Sequence, residues 1–447
     1  MDNATIISGY SVCLPFAKDS DRLIDNIKQG KRVNKAHWFD TDEAAKVYGL
    51  KNNAFAAKLV HEYDSIFNLV CDLIVRSLEK AMLDQHCLSG DNVRVYFTGL
   101  GARVDVADYA SFYDHNDIED VKLTKSIQNL HISKVSQDKL AYNIAKKYRL
   151  KFMPPNMHCT SNSSLSAVHL GIQAIGSGTI DLVMVINCSE IKTQDIYFLE
   201  SQSMLEGELI QPFGEESNCV LPSEGFSTLL LESARHRNAR QAPGGIKLTS
   251  TYTQTSTGRS NDPTQFASNL VKVMSNVMEQ ANVTCEDLCA IIPHANCSEA
   301  SDKAESQALR SLLGDSSVPI LAYKGQIGYV ATGSGIVDLI IGHYSLRHGE
   351  LFSPVGEGAI RENIAQHVLM NDGVIKHNKK HLLKLGLGVD GSIIGIIMSD
   401  NDYTPHTSSC LGVDCVTRPI LGLAPSGPLQ AAFKSAKQIC HSPQEPS

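Results

Sequence analysis

His158-Cys-Thr-Ser161-Asn-Ser-Ser-Leu-Ser-Ala-Val-His169 joins two kinds of chain. Phe152 to Cys159, before it, reads as extended; Ser163 to Ser177, within and after it, has helical spacing with small residues on one side. A side chain at such a strand-to-helix turn is held exposed. The helix N-terminus beyond it offers backbone N–H groups to a developing anion. Ser161 therefore sits where a nucleophile would sit. A plainer reading stands beside this one: Ser161, Asn162 and Ser163 are all capping types and need do no more than cap the helix.

Outward from the elbow, Asp181-Leu-Val-Met-Val-Ile-Asn187 is apolar on both faces, as a strand inside a covered sheet must be. Toward the N-terminus, residues 3–14 read as a strand and 20–30 as a helix. Asp64 to Asp84 is a helix with a wide apolar face, Val93 to Thr98 a strand, and Lys139 to Lys147 a helix. Phe226 to Glu232 is a further strand. Ala234 to Gly245 is polar and Gly/Pro-rich, the composition of a junction between lobes. The second half repeats the alternation of the first, with strands at Lys247–Tyr252, Leu288–Pro293 and Ser392–Ser399 and helices at Asp262–Ala281, Lys303–Leu313 and Gly333–Arg347. Strands and helices alternating through two comparable halves imply a layered α/β fold. The expected organisation is an N-terminal half over 1–245, a C-terminal half over 246–400, and a Pro-, Ser- and Gly-rich tail over 401–447.

Composition narrows the partners. The net charge is −8, without the basic excess that a duplex-binding surface needs. The longest apolar runs fall far short of the ~20 residues that span a bilayer. Met1 is followed by no basic region, so no signal peptide is read and a cytoplasmic location is expected. The 12 cysteines are scattered, as reduced thiols would be. Cys285, Cys289, His294 and Cys297 invite a test for zinc. An intervening strand would turn alternate side chains to opposite faces, and structural zinc favours paired short spacings, so no metal site is assigned.

Three more segments carry chemistry. His294 ends the apolar run Cys289 to Pro293, just past the C-terminal end of a strand, where α/β proteins place site residues; a surface or packing histidine is the plain alternative. Lys324-Gly-Gln-Ile-Gly328-Tyr329 precedes small residues and a helix. Gly386-Leu-Gly388-Val-Asp-Gly391 has the spacing of a dinucleotide fingerprint, but that fingerprint needs a following helix, and Ile393-Ile-Gly-Ile-Ile-Met398 is a strand. Lys376 to Lys384 is a basic run, read as a solvated face or as a surface for an acidic protein.

In this order, over about residues 3–400, the segments resemble the β-ketoacyl synthase, or condensing-enzyme, family. Gly99 to Tyr109 is similar to its glycine-to-Asp-Tyr segment. Ser161-Asn-Ser-Ser-Leu-Ser-Ala-Val-His169 is similar to its Cys-Ser-Ser-Ser-Leu-x-Ala-x-His elbow, and Gln173 to Asp181 continues the match. Gln211-Pro-Phe213 and Ser223-Glu-Gly225 resemble two further stretches. His294 falls on the first histidine of His-Gly-Thr-Gly-Thr, with Asp302, Glu305 and Ala308-Leu309 following at the family's spacing. Lys324 to Tyr329 falls on Lys-Ser-Asn-Ile-Gly-His, and Leu385 to Gly388 on Phe-Gly-Phe-Gly.

The resemblance implies the thiolase fold, two similar α/β halves in five αβαβα layers, dimeric with itself or with a catalytic ketosynthase. It implies acyl thioesters carried on the phosphopantetheine of an acyl carrier protein or on coenzyme A, with no cofactor of the chain's own. It also implies site residues. Ser161 stands at the nucleophile position in place of cysteine, His294 at the first histidine, and Tyr329 at the second. Glu305 and Lys324 would form a buried ion pair beneath them, and Leu387 and Gly388 would line the acyl pocket or oxyanion site. Cys159 is expected on the strand rather than the turn.

The departures bear on activity. A cysteine at a helix N-terminus is readily thiolate, because its free pKa is only ~8.5. A serine hydroxyl needs a neighbouring base, and His294 is the motif-placed one. Decarboxylative condensation uses two histidine donors on the enolate, and losing one preorganised donor costs ~10²–10³ in rate. Two functions follow: an acyltransferase working through Ser161, or a non-catalytic partner resembling the chain-length-factor subunits of active ketosynthases.

Overall fold

Leu182 to Ser189 is buried along its whole length, and its neighbours show why. Val183 and Val185 belong to one core and Met184 and Ile186 to another, so alternate side chains feed two apolar layers. The same alternation recurs at Leu229 and Leu231 against Leu230, and at Ile394 and Ile396 against Ile393 and Ile397. Strands that are apolar throughout are strands covered on both faces.

The computed structural model describes residues 3–101, 103–115, 136–256 and 263–400. The expected tail 401–447 lies outside them. Among the described residues, nine strands form the main sheet: β1 (Thr5–Cys13), β2 (Val93–Thr98), β3 (Asn156–Met157), β4 (Leu182–Ser189), β5 (Gly225–Ser233), β6 (Ile246–Thr255), β7 (Leu288–Ile292), β8 (His381–Leu387) and β9 (Ser392–Ser399). Their spatial order is β7-β8-β9-β6-β1-β5-β4-β2-β3.

That order contains one pattern twice. From β1 outward the pairings run antiparallel to β5, antiparallel to β4, then parallel to β2 and β3. From β6 outward they run antiparallel to β9, antiparallel to β8, then parallel to β7. A parallel bridge from Ile291 to Ile320 stands where β3 stands in the first half. The halves meet through a three-residue antiparallel contact, Thr5 to Ile7 against Ile246 to Leu248.

Among the described residues, six of the longer helices make the remaining layers: α1 (Ile66–Lys80), α2 (Gln137–Tyr148), α3 (Ser163–Gly176), α4 (Pro263–Ala281), α5 (Glu299–Leu313) and α6 (Ser334–His348). α1 and α2 cover the outer face of the first half through Leu69, Leu73, Leu140 and Ile144. α4 and α5 cover the outer face of the second through Leu270, Val273 and Leu309. α3 and α6 lie between, touching strands of both halves, and α6 is buried nearly all round. Helix, sheet, helix, sheet, helix is the expected five-layer thiolase fold. Gly335 lets the two middle helices close, since a Cβ there would stand 2.4 Å from Leu165.

Two sequence readings are corrected. The extended run expected over Phe152 to Cys159 shrinks to Asn156–Met157, because Pro154 and Pro155 have no N–H for a ladder. The basic run Lys376 to Lys384 is not one solvated face: its last four residues belong to β8, and Lys384 is buried.

Candidate active site

Ser161 lies in the tight turn between β3 and α3. Thr160 takes the strain, with φ of +46°, and Ser161 follows it half-buried. Of the three residues expected to cap the helix, none does so. Asn162 turns its amide to Ser392, 3.0 Å from the carbonyl and 2.9 Å from the hydroxyl. Ser163 donates to the Thr160 carbonyl at 2.7 Å. The Ser161 side chain lies beside that of Tyr329, near enough to favour the ionised phenol. Cys159 is corrected from strand to turn: it lies beyond Met157, half-buried, bridged to Ser161, with its N–H on Ser163 Oγ at 3.0 Å.

Thr160, Ser161, His294, Tyr329, Leu387 and Gly388 line one cavity of ≈ 580 Å³. Its remaining wall is mostly apolar, with Leu100, Ile191, Leu199, Met204 and Phe266 among the lining residues. The His294 and Tyr329 rings stand edge to face with centroids 6.0 Å apart. Residues separated by more than a hundred positions are thus brought to one place, His294 by the end of β7 and Tyr329 by the turn before α6.

His294 is buried, and burial, with the positive charges of Lys324 and Lys384, holds its pKa well below the ordinary histidine value. The imidazole is neutral at pH 7. Burial raises the Tyr329 phenol above its ordinary value, against the hydrogen bonds of Ser161 and Asn296. The phenol keeps its proton there and is no base.

The peptide groups around His294 are clamped. Glu305 accepts the N–H groups of His294 and Ala295, each at 2.7 Å. The Pro293 carbonyl accepts from Lys384 at 3.0 Å and from Lys324 at 3.4 Å. The expected Lys324–Glu305 ion pair is corrected: Lys324 pairs with Asp338 at 3.1 Å, and Lys384 shares the same carboxylate at 2.6 Å. Glu305 is taken up by backbone amides instead. Asp302 likewise accepts Phe213 N–H at 2.8 Å and Asn296 N–H at 3.1 Å, and its burial pushes its pKa up to about 7.

Leu387 and Gly388 reach the elbow across the halves. A Cβ on Gly388 would stand 2.6 Å from Thr160 Oγ1, and one on Gly386 2.3 Å from Asn162 Oδ1. The first two glycines of this fingerprint-like stretch therefore serve close packing against the elbow. The oxyanion role for Gly388 is corrected, because its N–H already donates to the Ser392 carbonyl at 2.8 Å; it is left as cavity wall. Among the described residues no three His, Cys, Asp or Glu side chains are grouped to hold a metal ion.

Sequence reading missed Asn296, Asp338 and Lys384. The last two carried a signal: each is a lone charge in an apolar run, Ile336 to Ile341 and Leu382 to Leu385, and a charge there is buried with a partner. Asn296 carried none beyond its place two residues after His294.

Residues 3–237 match the family described as "Beta-ketoacyl synthase, N-terminal domain" and residues 248–355 match "Beta-ketoacyl synthase, C-terminal domain". The polyketide synthase PksM of Bacillus subtilis is 22% identical over 374 residues, 76% of this chain and 8% of that protein. The tetracenomycin polyketide synthase ketoacyl synthase beta subunit of Streptomyces glaucescens is 30% identical over 153 residues, 33% of this chain and 36% of that protein. Either way the chain matches well under two thirds of the relative's length. Among solved structures, a type II polyketide acyl-carrier protein in complex with its ketosynthase superposes with TM-score 0.76 at 17% identity, over 90% of this chain and 100% of that one. The ishigamide ketosynthase/chain length factor superposes with TM-score 0.74 at 15% identity, over 89% and 99%. At those identities the likeness is one of fold. The two domain matches, taken with the duplicated five-layer fold, place this chain in the beta-ketoacyl synthase family.

Proposed function

We propose that this chain is a ketosynthase-like acyltransferase of polyketide or fatty-acid type biosynthesis, moving an acyl group from an acyl-carrier-protein or coenzyme A thioester through Ser161 to an acceptor. The observation that carries the reading is the shared cavity: a serine at a helix N-terminus and a neutral, buried histidine line one largely apolar space of acyl-chain size. Ser161 Oγ bonds the thioester carbonyl carbon while its proton passes to His294. The C–S bond breaks, and the departing sulfur takes that proton. A hydroxyl, amine or thiol acceptor then repeats the sequence in reverse: its proton goes to His294, its heteroatom bonds the carbonyl carbon, and Ser161 Oγ leaves and is reprotonated.

Condensation is not part of the proposal. An enolate wants two preorganised donors. Here the second position holds the phenol of Tyr329 in place of an imidazole. The test is intact mass after incubation with acyl-loaded carrier protein. An acyl adduct on the wild type that vanishes in Ser161→Ala supports the reading. An unmodified wild type that co-purifies tightly with a ketosynthase sinks it.

That last outcome is the second reading, a non-catalytic chain-length-factor-like subunit in a heterodimer. It has its own support in the 30% match to the Streptomyces glaucescens beta subunit. Under it, Ser161→Ala leaves the activity of the assembled pair unchanged.

A further inference from the structure

The peptide group between Pro293 and His294 is held at both ends by opposite charge. Its carbonyl accepts from Lys384 Nζ at 3.0 Å and from Lys324 Nζ at 3.4 Å, and its N–H donates to Glu305 at 2.7 Å. Ammonium on the oxygen and carboxylate on the hydrogen is the arrangement that a peptide dipole favours. The following N–H, of Ala295, goes to the same carboxylate at 2.7 Å. The peptide planes before and after the His294 Cα are thus both fixed, and with them the direction in which the imidazole leaves the backbone. Lys384 is the member that ion pairing does not explain. It stands on β8 opposite Ile292 of β7, 1% exposed, in an otherwise apolar run. Asp338 meets Lys324 at 3.1 Å and would be paired without it. A second ammonium in so buried a place is costly. What it adds is the shorter of the two bonds to the Pro293 carbonyl, and a positive charge one residue ahead of the ring.

We infer that Lys384 is a positioning residue for His294: it locks the peptide that carries the imidazole into the cavity and opposes positive charge on the ring. Resting on the acyltransfer reading, this deepens it. A base that takes the Ser161 proton and then surrenders it to the departing sulfur gains from both effects. The fixed backbone keeps the ring where the proton is exchanged, and the ammonium disfavours an imidazolium that lingers. Burial brings the pKa of Lys384 itself down to about 8, so it is charged at pH 7. The other charged or titratable groups about His294 are Lys324 and Tyr329 of the segment before α6, Glu305 and Asp302 of α5, and Asp338 of α6. None of them is altered by a substitution at position 384.

The test is Lys384→Met in the full chain, which removes charge and donor at similar length and leaves the Lys324–Asp338 pair. Two readouts are taken, with the fold checked by circular dichroism. Single-turnover adduct formation from acyl-loaded carrier protein at pH 7 is expected to slow ~10²-fold, as for a reacting group misplaced by about an ångström. The His294 ring signals in the NMR spectrum of histidine-labelled protein, assigned with His294→Ala, are expected to titrate at higher pH than in the wild type, since one of the charges opposing imidazolium is gone. A lysine that only fills the core would change the melting temperature and neither of these. A wild-type rate, or an unmoved His294 titration, overturns the inference. If the wild type forms no adduct, the ring signals decide alone: a raised titration leaves Lys384 its role while acyltransfer falls. Should the methionine variant not fold, Lys384→Gln, a donor without charge, is read for the same titration.

Discussion

At the scale of single residues, the site turns on how far each group's surroundings move its proton. His294 is kept neutral by burial and by two neighbouring ammonium groups, so lowering the pH through the usual histidine range does not protonate it. The rate of Ser161 acylation is therefore expected to stay level between about pH 8 and pH 6, with no inflection at the ordinary histidine value; a rate that halves at the free-histidine pKa would contradict this. His294→Ala should slow acylation by ~10²–10⁴-fold, the usual worth of a positioned general base, measured as single-turnover adduct formation. Ser161, His294 and Tyr329 were legible in the sequence because each occupies a motif whose order and spacing could be followed along the chain. Asn296 was not, because its place in the cavity wall is set by local bonds, its oxygen accepting from Ser298 and Ser301, and no motif announces them.

At the scale of elements, two buried charge clusters hold the scaffold, and they answer to different tests. Glu232, near the end of β5, collects Ser8 of β1 at 2.5 Å, Arg237 at 3.2 Å and Arg240 at 2.6 Å. Burial would raise its pKa, but the bonds from Arg240, Ser8 and His236 outweigh that and bring it down to about 2. A depressed carboxylate contributes its stability above its unfolded pKa and loses it as pH falls through the folded one. The shift corresponds to about 3 kcal/mol, lost as pH drops from ~4.5 toward 2. In Glu232→Gln the same acid limb in urea unfolding should flatten. Under the site, Asp338 serves two lysines. Asp338→Asn strands both, at a cost of about 3–5 kcal/mol. Lys384→Met leaves the Lys324–Asp338 pair intact and removes a like charge, so it should cost clearly less; equal losses would refute the shared-carboxylate arrangement. The sequence showed β4, β5 and β9 plainly, since each is a continuous apolar run. It hid β8, whose upstream lysines and histidines look like surface until Leu382 to Leu387 are seen between β7 and β9.

At the scale of the whole molecule, the doubled pattern of strands explains why the fold was readable at all: each half repeats the same order of apolar runs and helices, so one half is a check on the other. What could not be read is how the halves are joined. The seam is narrow in backbone terms, and it is completed by side chains, Thr160 to Asp390 at 3.2 Å and Asn162 to Ser392. Because both sheets also share the α3–α6 layer, equilibrium unfolding followed by Trp38 fluorescence and by far-ultraviolet circular dichroism should give coincident transitions; two separated midpoints would show that the halves melt independently. The position of β1 has a temporal consequence. Its neighbours on either side are β5 and β6, so Thr5 must wait for Ser233 and Leu248 to be synthesised. During that interval on the ribosome, both its edges stand open to adventitious pairing, and such long loop closures are slow. A nascent chain of this design is a natural client for holding chaperones until its middle has emerged.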